Sequence, residues 1–284
     1  MKALGPDNPI LSTLNKIVDT MWVSLLWCLL CLPMLMFLFF GLYPIDFITV
    51  IDGVEEQTQM AMLLAPGLEL KYELVIMGLM TVCSVTVGPA SAAVYYAVVK
   101  VIRRERSYVT KSFFHSFKVN FKLGALSSLA FGAFVSFMYF DIKYSLNQAI
   151  LGNGGTMSMI LCGVFACISG LGLLFLVWLN PVLSRFDVSF KQLFKNVLLI
   201  SGKNVFRSII LILFWLAIGY LLIEMMMSET LMKFFMLLPF CLPGVSALVR
   251  SFVIEPVFKR LVNEVNESKE STEADPTEDS WYTE

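Results

Sequence analysis

The residues that could do chemistry are few, and their positions argue against catalysis. The chain has one histidine, His115, so a histidine-based metal centre or a serine and histidine couple has almost nothing to be built from. Cys28 and Cys31 form a C-x-x-C pair inside an apolar run, where thiols usually act as small apolar groups. The segment SGKN at 201–204 lacks the upstream glycine and the Ser or Thr of a phosphate-binding loop. The sequence therefore predicts a protein that is not an enzyme, with no catalytic residue, cofactor or metal site.

The composition indicates a membrane protein. Hydrophobic residues make up 57% of the 284 residues and charged residues only 15%, which is far from the balance of a soluble domain. The first uncharged run is long enough for a helix that crosses a hydrocarbon core of about 30 Å. The last two runs have only 16 residues each between flanking charges, and reaching both interfaces depends on snorkelling of Arg207, Lys233 or Arg250. Spans are predicted at about 21–43, 74–99, 123–140, 157–184, 208–226 and 234–252. The predicted fold class is all-α, a polytopic membrane bundle of about six transmembrane helices over residues 1–262.

The distribution of Lys and Arg predicts the orientation of the chain. Only three of the 21 basic residues, Lys71, Lys143 and Lys233, fall in alternate loops, and the others fall in the segments between those loops. Because basic segments stay on the cytoplasmic side, both termini are predicted to be cytoplasmic, in the plasma membrane. The tail at 263–284 is acidic and poor in apolar residues, so it is predicted to be disordered.

Small residues recur at every fourth position in three of the predicted spans. These residues are Ser84, Gly88 and Ala92 in the second span, Gly124, Ser128, Gly132 and Ser136 in the third, and Cys162, Ala166 and Gly170 in the fourth. Residues at this spacing share one helix face, and small side chains let helix backbones approach closely. The pattern predicts seams of tight helix packing, and the lining of a pore is the alternative.

Proline residues interrupt several of the predicted spans. Pro89 removes one helix amide and frees the carbonyl of Val85, which needs another donor inside lipid. One interpretation is a set of kinks with no further role. The other is a central cavity with the amide of Asn180 as its one strong polar contact. The candidate residues of that cavity are Gly88, Pro89, Asn180, Pro181, Pro239 and Pro243.

Two charged residues lie near the inner end of the sixth predicted span. Arg250 and Glu255 are five positions apart, and charge inside a membrane usually finds a partner. A pairing between them is a hypothesis, although their helical faces diverge at that spacing.

Two basic segments between the spans are predicted to form cytoplasmic amphipathic helices, with start signals at Thr110 and Ser189. Each places aromatic rings on one face and lysines beside it, as in a helix that lies in the lipid bilayer surface near anionic lipid headgroups. The candidate residues are Phe113, Phe114, Phe117, Phe121, Lys111 and Lys118 in the first segment, and Phe190, Phe194, Lys191 and Lys195 in the second. Anchoring to the membrane is the default role, and docking of a cytosolic partner is the alternative. These aromatic faces favour lipid over nucleic acid.

The two units of span, amphipathic helix and span suggest a weak internal repeat. The second and third spans would match the fourth and fifth, related by an axis along the membrane normal. The alternative is that any basic inner loop of a membrane protein has this appearance.

Four segments resemble the YesL family of bacterial integral membrane proteins, a domain of unknown function. They are NKIVDTMWVSLLWCLLCLP, TVGPASAAVYYAVVK, SYVTKSFFHSFKVNFK and LSRFDVSFKQLFKNVLLIS. The resemblance covers most of the chain and includes Gly88 with Pro89, Arg185 with Phe186 and Asp187, and Lys195 with Asn196. Members of this family are often encoded beside ATP-driven carbohydrate uptake systems and glycoside-degrading enzymes.

The resemblance implies a non-catalytic accessory or partner component associated with carbohydrate uptake, with ATP-driven sugar permease subunits as its partners. One alternative is an independent small-solute transporter or channel. Against it, charged or strongly polar residues are scarce deep in the spans, whereas coupling to sugar or ions usually needs several. A second alternative is a sensor or regulator that responds to the state of the membrane.

Overall fold

The computed structural model describes residues 9–36, 66–103, 108–150, 155–227 and 240–273, and its regular structure in these ranges is helical. In chain order the helices are α1 (Pro9–Leu30), α2 (Pro66–Cys83), α3 (Val87–Ile102), α4 (Val109–Val119), α5 (Phe121–Ile150), α6 (Gly155–Arg185), α7 (Phe190–Lys203), α8 (Val205–Met227) and α9 (Leu242–Glu273). A 3-10 turn, Ser84–Thr86, joins α2 to α3. The all-α prediction is confirmed for the described residues.

Several helices are long and apolar enough to cross a membrane. Three stretches meet this condition in the described residues, Leu74–Ile102, Phe121–Ala149 and Gly155–Arg185, and α7 with α8 adds a fourth if this pair, bent by 93°, is one span. Three or four is fewer than the six predicted. The first predicted span, 21–43, runs past residue 36, and the sixth, 234–252, starts before residue 240, so both extend outside the described residues.

Helix α3 is the centre of the fold, because it packs against α1, α4, α5, α6 and α9. Small and β-branched residues between Gly88 and Val99 are buried along most of its length. One apolar core, which includes Trp178, Leu211 and Phe258, lies on its α6 side. A second core contains Tyr95 and lies between α3, α1 and α4.

The contact of α2 and α3 with α5 uses the small-residue faces that the sequence predicts. A Cβ atom added to Gly88 would overlap the carbonyl oxygen of Gly124, and one added to Gly132 would lie 2.7 Å from Ser84 Oγ. The hydroxyls of Thr81 and Ser136 form a hydrogen bond of 2.9 Å across the same contact. The predicted seam between the second and third spans is therefore confirmed. Its helix backbones approach too closely for any larger residue at Gly88 or Gly124.

The carbonyl that Pro89 deprives of its helix amide has a donor on the neighbouring helix. Ser128 Oγ lies 3.3 Å from the carbonyl oxygen of Val85 and 3.1 Å from that of Ala125, so its proton is shared between them. Ser84 Oγ lies in turn 3.1 Å from the Ser128 carbonyl. The small-residue seam thus satisfies the backbone group that proline leaves without a helical partner.

The small-residue face of the fourth span does not form such a seam in the described part of the chain. Nothing there lies within 4 Å of a Cβ added to Gly163 or Gly170. Ala166 and Cys167, which share this face, are exposed. The predicted seam of Cys162, Ala166 and Gly170 therefore has no packed partner among the described residues, although Cys162 itself is half-buried. The spacing of small residues is the same whether their partner is another helix of the chain or not.

Helix α9 begins at Leu242 and continues well past residue 252, where the sixth predicted span ends. Pro243 lies in its first turn, where a missing amide costs no helical hydrogen bond, so it does not kink the helix there. Gly244 packs on α1, and its amide donates to Ser24 Oγ at 2.8 Å. The helix continues to Glu273, past residue 262 where the disordered tail was predicted to begin. The exposed pair of Arg260 with Glu264, at 2.7 Å, supports this extension.

Candidate functional site

The two predicted amphipathic helices are present as α4 and α7. Ser189 precedes α7 as predicted, and its amide and hydroxyl lie 3.1 Å and 3.0 Å from Gln192 Oε1. The predicted start signal of the first helix was wrong, since α4 begins after Tyr108, which makes no side-chain cap. Thr110 instead accepts a hydrogen bond of 3.0 Å from the indole of Trp22, which ties α4 to α1.

The phenylalanine residues of α4 do not all face lipid. Phe113 is fully buried in the core beside α3, and its ring stacks on that of Phe117, which is half-buried. Phe114 and Phe121 are exposed. Lys111 and Lys118 are exposed as well. The prediction that Phe113 lies in the acyl boundary is wrong, because this side of α4 packs on the protein.

Helix α7 has a similar two-sided arrangement. Leu193 and Val197 are buried against α6, whereas Lys191 and Lys195 are exposed. The rings of Phe190 and Phe194 are half-buried and lie 4.8 Å apart. Phe194 also lies 4.9 Å from the ring of Phe175 of α6. Both amphipathic helices are therefore attached to the bundle by one face and leave their lysines outside.

The residues of the predicted central cavity lie in packed surroundings where the structure describes them. Gly88 and Pro89 are buried in the seam with α5, and Asn180 and Pro181 are buried in α6. Pro243 is half-buried at the start of α9. Pro239 lies outside the described residues. Within the described ranges, no group of three His, Cys, Asp or Glu side chains is arranged to hold a metal ion.

A charged cluster joins the ends of α3 and α6 to the middle of α9. Glu255 Oε2 lies 2.5 Å from Arg103 Nη2 and 2.5 Å from Arg185 Nη2. Arg185 Nε lies 3.3 Å from the other carboxylate oxygen, so the guanidinium of α6 grips both oxygens. The hydroxyl of Tyr95 also donates to that oxygen, at 3.3 Å. One carboxylate from α9 therefore holds an arginine from each of two other helices.

This cluster corrects the hypothesis that Arg250 pairs with Glu255. The guanidinium of Arg250 lies over the ring of Trp215, 5.3 Å from its centroid, which places it towards α8 instead. The divergence of the two faces of α9 at a spacing of five explains the difference, since Glu255 faces α3 and α6. The rule that charge inside a membrane finds a partner predicted correctly that Glu255 pairs with a cation. The sequence alone did not indicate which cation.

The arrangement of the cluster is suited to holding three helices in fixed positions. The guanidiniums of Arg103 and Arg185 offer N–H donors and no acceptor. The Glu255 carboxylate is occupied by both guanidiniums and by Tyr95. Each arginine lies at the end of a helix that is followed by an amphipathic helix, so the two occupy corresponding positions in the proposed repeat.

Residues 20–142 match a family described as "Protein of unknown function, DUF624". The matched part begins in the middle of α1 and ends within α5. It includes the seam at Gly88 and the amphipathic helix α4. Neither the curated proteins nor the solved structures contain a match to this chain.

Proposed function

We propose that the chain is a non-catalytic partner subunit of a membrane complex that takes up carbohydrate. In this proposal it crosses the plasma membrane six times, keeps both termini in the cytoplasm, and carries α4 and α7 at the cytoplasmic surface. It acts through helix contacts with a permease subunit of an ATP-driven system. The carbohydrate part of the proposal is supported by the resemblance to the YesL family, and the contact part is supported by an exposed face of α6.

The exposed face of α6 is the observation that carries the proposal. Gly163, Ala166, Cys167 and Gly170 follow the spacing of one helical face, and all four are exposed. Only 6% of the most apolar window of α6 is buried, against 22% in each of the other two stretches that could span a membrane. A lipid-facing helix has no need of small residues, whereas a helix that packs closely on another protein helix does. The face is therefore suited to a transmembrane helix of a partner.

A groove between α7 and α9 offers a second contact surface, outside the spans. It encloses about 400 Å³ and is lined by Phe186, Leu199, Ile200 and Leu261, with Lys203 at its border. Leu199 is half exposed although it lies on an amphipathic helix that already packs on the bundle by another face. An apolar groove with a basic border fits a short amphipathic segment of a cytosolic subunit.

Independent transport is less well supported by the described residues. The seam at Gly88 has no room for a carbon atom, so a solute path past Gly88 and Pro89 requires α3 and α5 to separate. A membrane sensor that works through α4 is less well supported too, because Phe113 is anchored in the core and Trp22 holds the start of that helix.

Enlarging the exposed face of α6 tests the proposal. The variant Gly170→Leu is expected to fold normally, because nothing described lies near that position and leucine favours helix more than glycine does. It is expected to reduce the amount of sugar permease and ATPase that co-purifies from crosslinked cells by about tenfold or more, since the helices can no longer approach closely. Quantitative mass spectrometry of the purified complex measures this.

The matched control is Gly78→Leu, which alters a glycine on α2 that also has nothing described within 4 Å. This control is expected to retain its partners. Equal recovery of permease with both variants, or recovery of only a second copy of the chain with the unaltered protein, would overturn the proposal in favour of an independent protein.

A further inference from the structure

A cavity lies beside the charged cluster, at the ends of α3 and α6. It encloses about 210 Å³ and is lined by the side chains of Lys100, Arg103, Arg185, Tyr96 and Ser184, among others. Three of these side chains are cationic. Positive side chains that line one concave surface repel one another at short range. An anion bound among them offsets this repulsion, so such a surface attracts anions.

The cationic groups of this cavity are held in place before any ligand binds. Glu255 fixes the guanidiniums of Arg103 and Arg185, whose Nη2 atoms each lie 2.5 Å from its Oε2. Lys100 Nζ lies 4.7 Å from the ring centroid of Tyr96, in a cation-π contact. A preorganised set of donors loses little side-chain entropy when a ligand arrives, which favours binding.

We propose that this cavity binds a phosphoryl group, as found in phosphate, in a phosphate ester or in an anionic phospholipid headgroup. Arg185 already uses Nε and Nη2 on Glu255, and Arg103 uses Nη2, so the remaining N–H donors of the two guanidiniums are the ones that would meet phosphoryl oxygens. The ammonium of Lys100 adds a third positive contact. A neutral sugar offers nothing to three cations, so the site differs in its ligand from a carbohydrate site. This phosphoryl site does not depend on the proposed role in carbohydrate uptake. All the residues that line it belong to this chain, so it requires no partner subunit.

Thermal unfolding of the purified full-length protein in lipid nanodiscs tests this site and separates its two sources of ligand. In the first arm, discs of phosphatidylcholine are titrated with inorganic phosphate, against chloride at equal ionic strength. In the second arm, phosphatidylcholine discs are compared with discs that contain phosphatidylglycerol, with no phosphate added. A ligand that binds the folded state raises the unfolding midpoint, so stabilisation in the first arm identifies a free phosphate and stabilisation in the second alone identifies a headgroup.

The variant Lys100→Gln is expected to lower the affinity for the stabilising ligand by about tenfold, because one charge-assisted contact is lost. The two arginines keep their contacts with the Glu255 carboxylate in this variant. Lys100→Arg is expected to retain binding. The control Lys118→Gln removes an exposed lysine of α4 that lies outside the cavity, and it is expected to leave the affinity unchanged. Absence of stabilisation in both arms would show that there is no phosphoryl site. An equal loss of affinity in Lys100→Gln and Lys118→Gln would show that the ligand responds to the surface charge in general. Either result would overturn the proposal.

Discussion

Glu255→Gln is expected to lower the free energy of unfolding by about 2–3 kcal/mol, because two guanidiniums then lose the carboxylate that they share. The Glu255 side chain is only 13% exposed, so water does not replace the lost charge well. Arg103 and Arg185 are 35% and 28% exposed, and this partial hydration keeps the expected loss below that of a fully buried pair. The loss is measured as the shift of the thermal unfolding midpoint in nanodiscs of fixed lipid composition.

The control for this prediction lies on the same helix. Glu264 forms an ion pair with Arg260, but these side chains are 50% and 82% exposed. Glu264→Gln is therefore expected to change the free energy of unfolding by no more than about 0.5 kcal/mol. Similar losses in Glu255→Gln and Glu264→Gln would mean that the cluster does not join the three helices.

Gly88→Ala is expected to destabilise the protein by about 3 kcal/mol, which is large for the addition of one methyl group. The new Cβ would overlap the Gly124 carbonyl oxygen and lie 2.9 Å from Ser128 Cβ. Both neighbours belong to α5, and a backbone carbonyl cannot move aside as a flexible side chain can. The helices must separate, and the hydrogen bond from Ser128 to the Val85 carbonyl lengthens with them.

Gly78→Ala provides the comparison for the same substitution at an open position. Nothing described lies within 4 Å of a Cβ at Gly78, and alanine favours helix by about 1 kcal/mol over glycine. This variant is expected to be neutral or slightly stabilised. The two variants should be compared by the fraction of folded protein after heating in detergent. If the folded fraction of Gly88→Ala after heating equals that of Gly78→Ala, the close approach of α3 and α5 at Gly88 is contradicted.

Local features of the fold were predictable where one residue type has one physical use. Small residues at every fourth position predicted the seam at Gly88 and Gly124, because only a close backbone approach makes use of them in lipid. Pro89 predicted that the Val85 carbonyl needs a new donor, and Ser128 supplies it. Ser189 predicted the start of α7, where its amide and hydroxyl meet the side chain of Gln192.

Features that depend on the arrangement of distant helices could not be derived in this way. An apolar ring suits lipid and protein equally, so the pattern of α4 did not reveal that Phe113 enters the core. The partners of Glu255 are 152 and 70 positions away, and only the packing of α9 against both α3 and α6 brings them together. The small face at Gly170 has the same spacing as the seam at Gly88, although nothing described covers it.

The most direct test of the proposed partner role is crosslinking from the exposed face of α6 in living cells. A photo-crosslinking amino acid is placed at Ala166 in that face, and in a second strain at Phe206 of α8, which is 85% exposed but lies outside it. We expect a sugar permease subunit to be crosslinked from Ala166 and not from Phe206. Products from Ala166 that contain only lipid or a second copy of the chain would contradict the partner role.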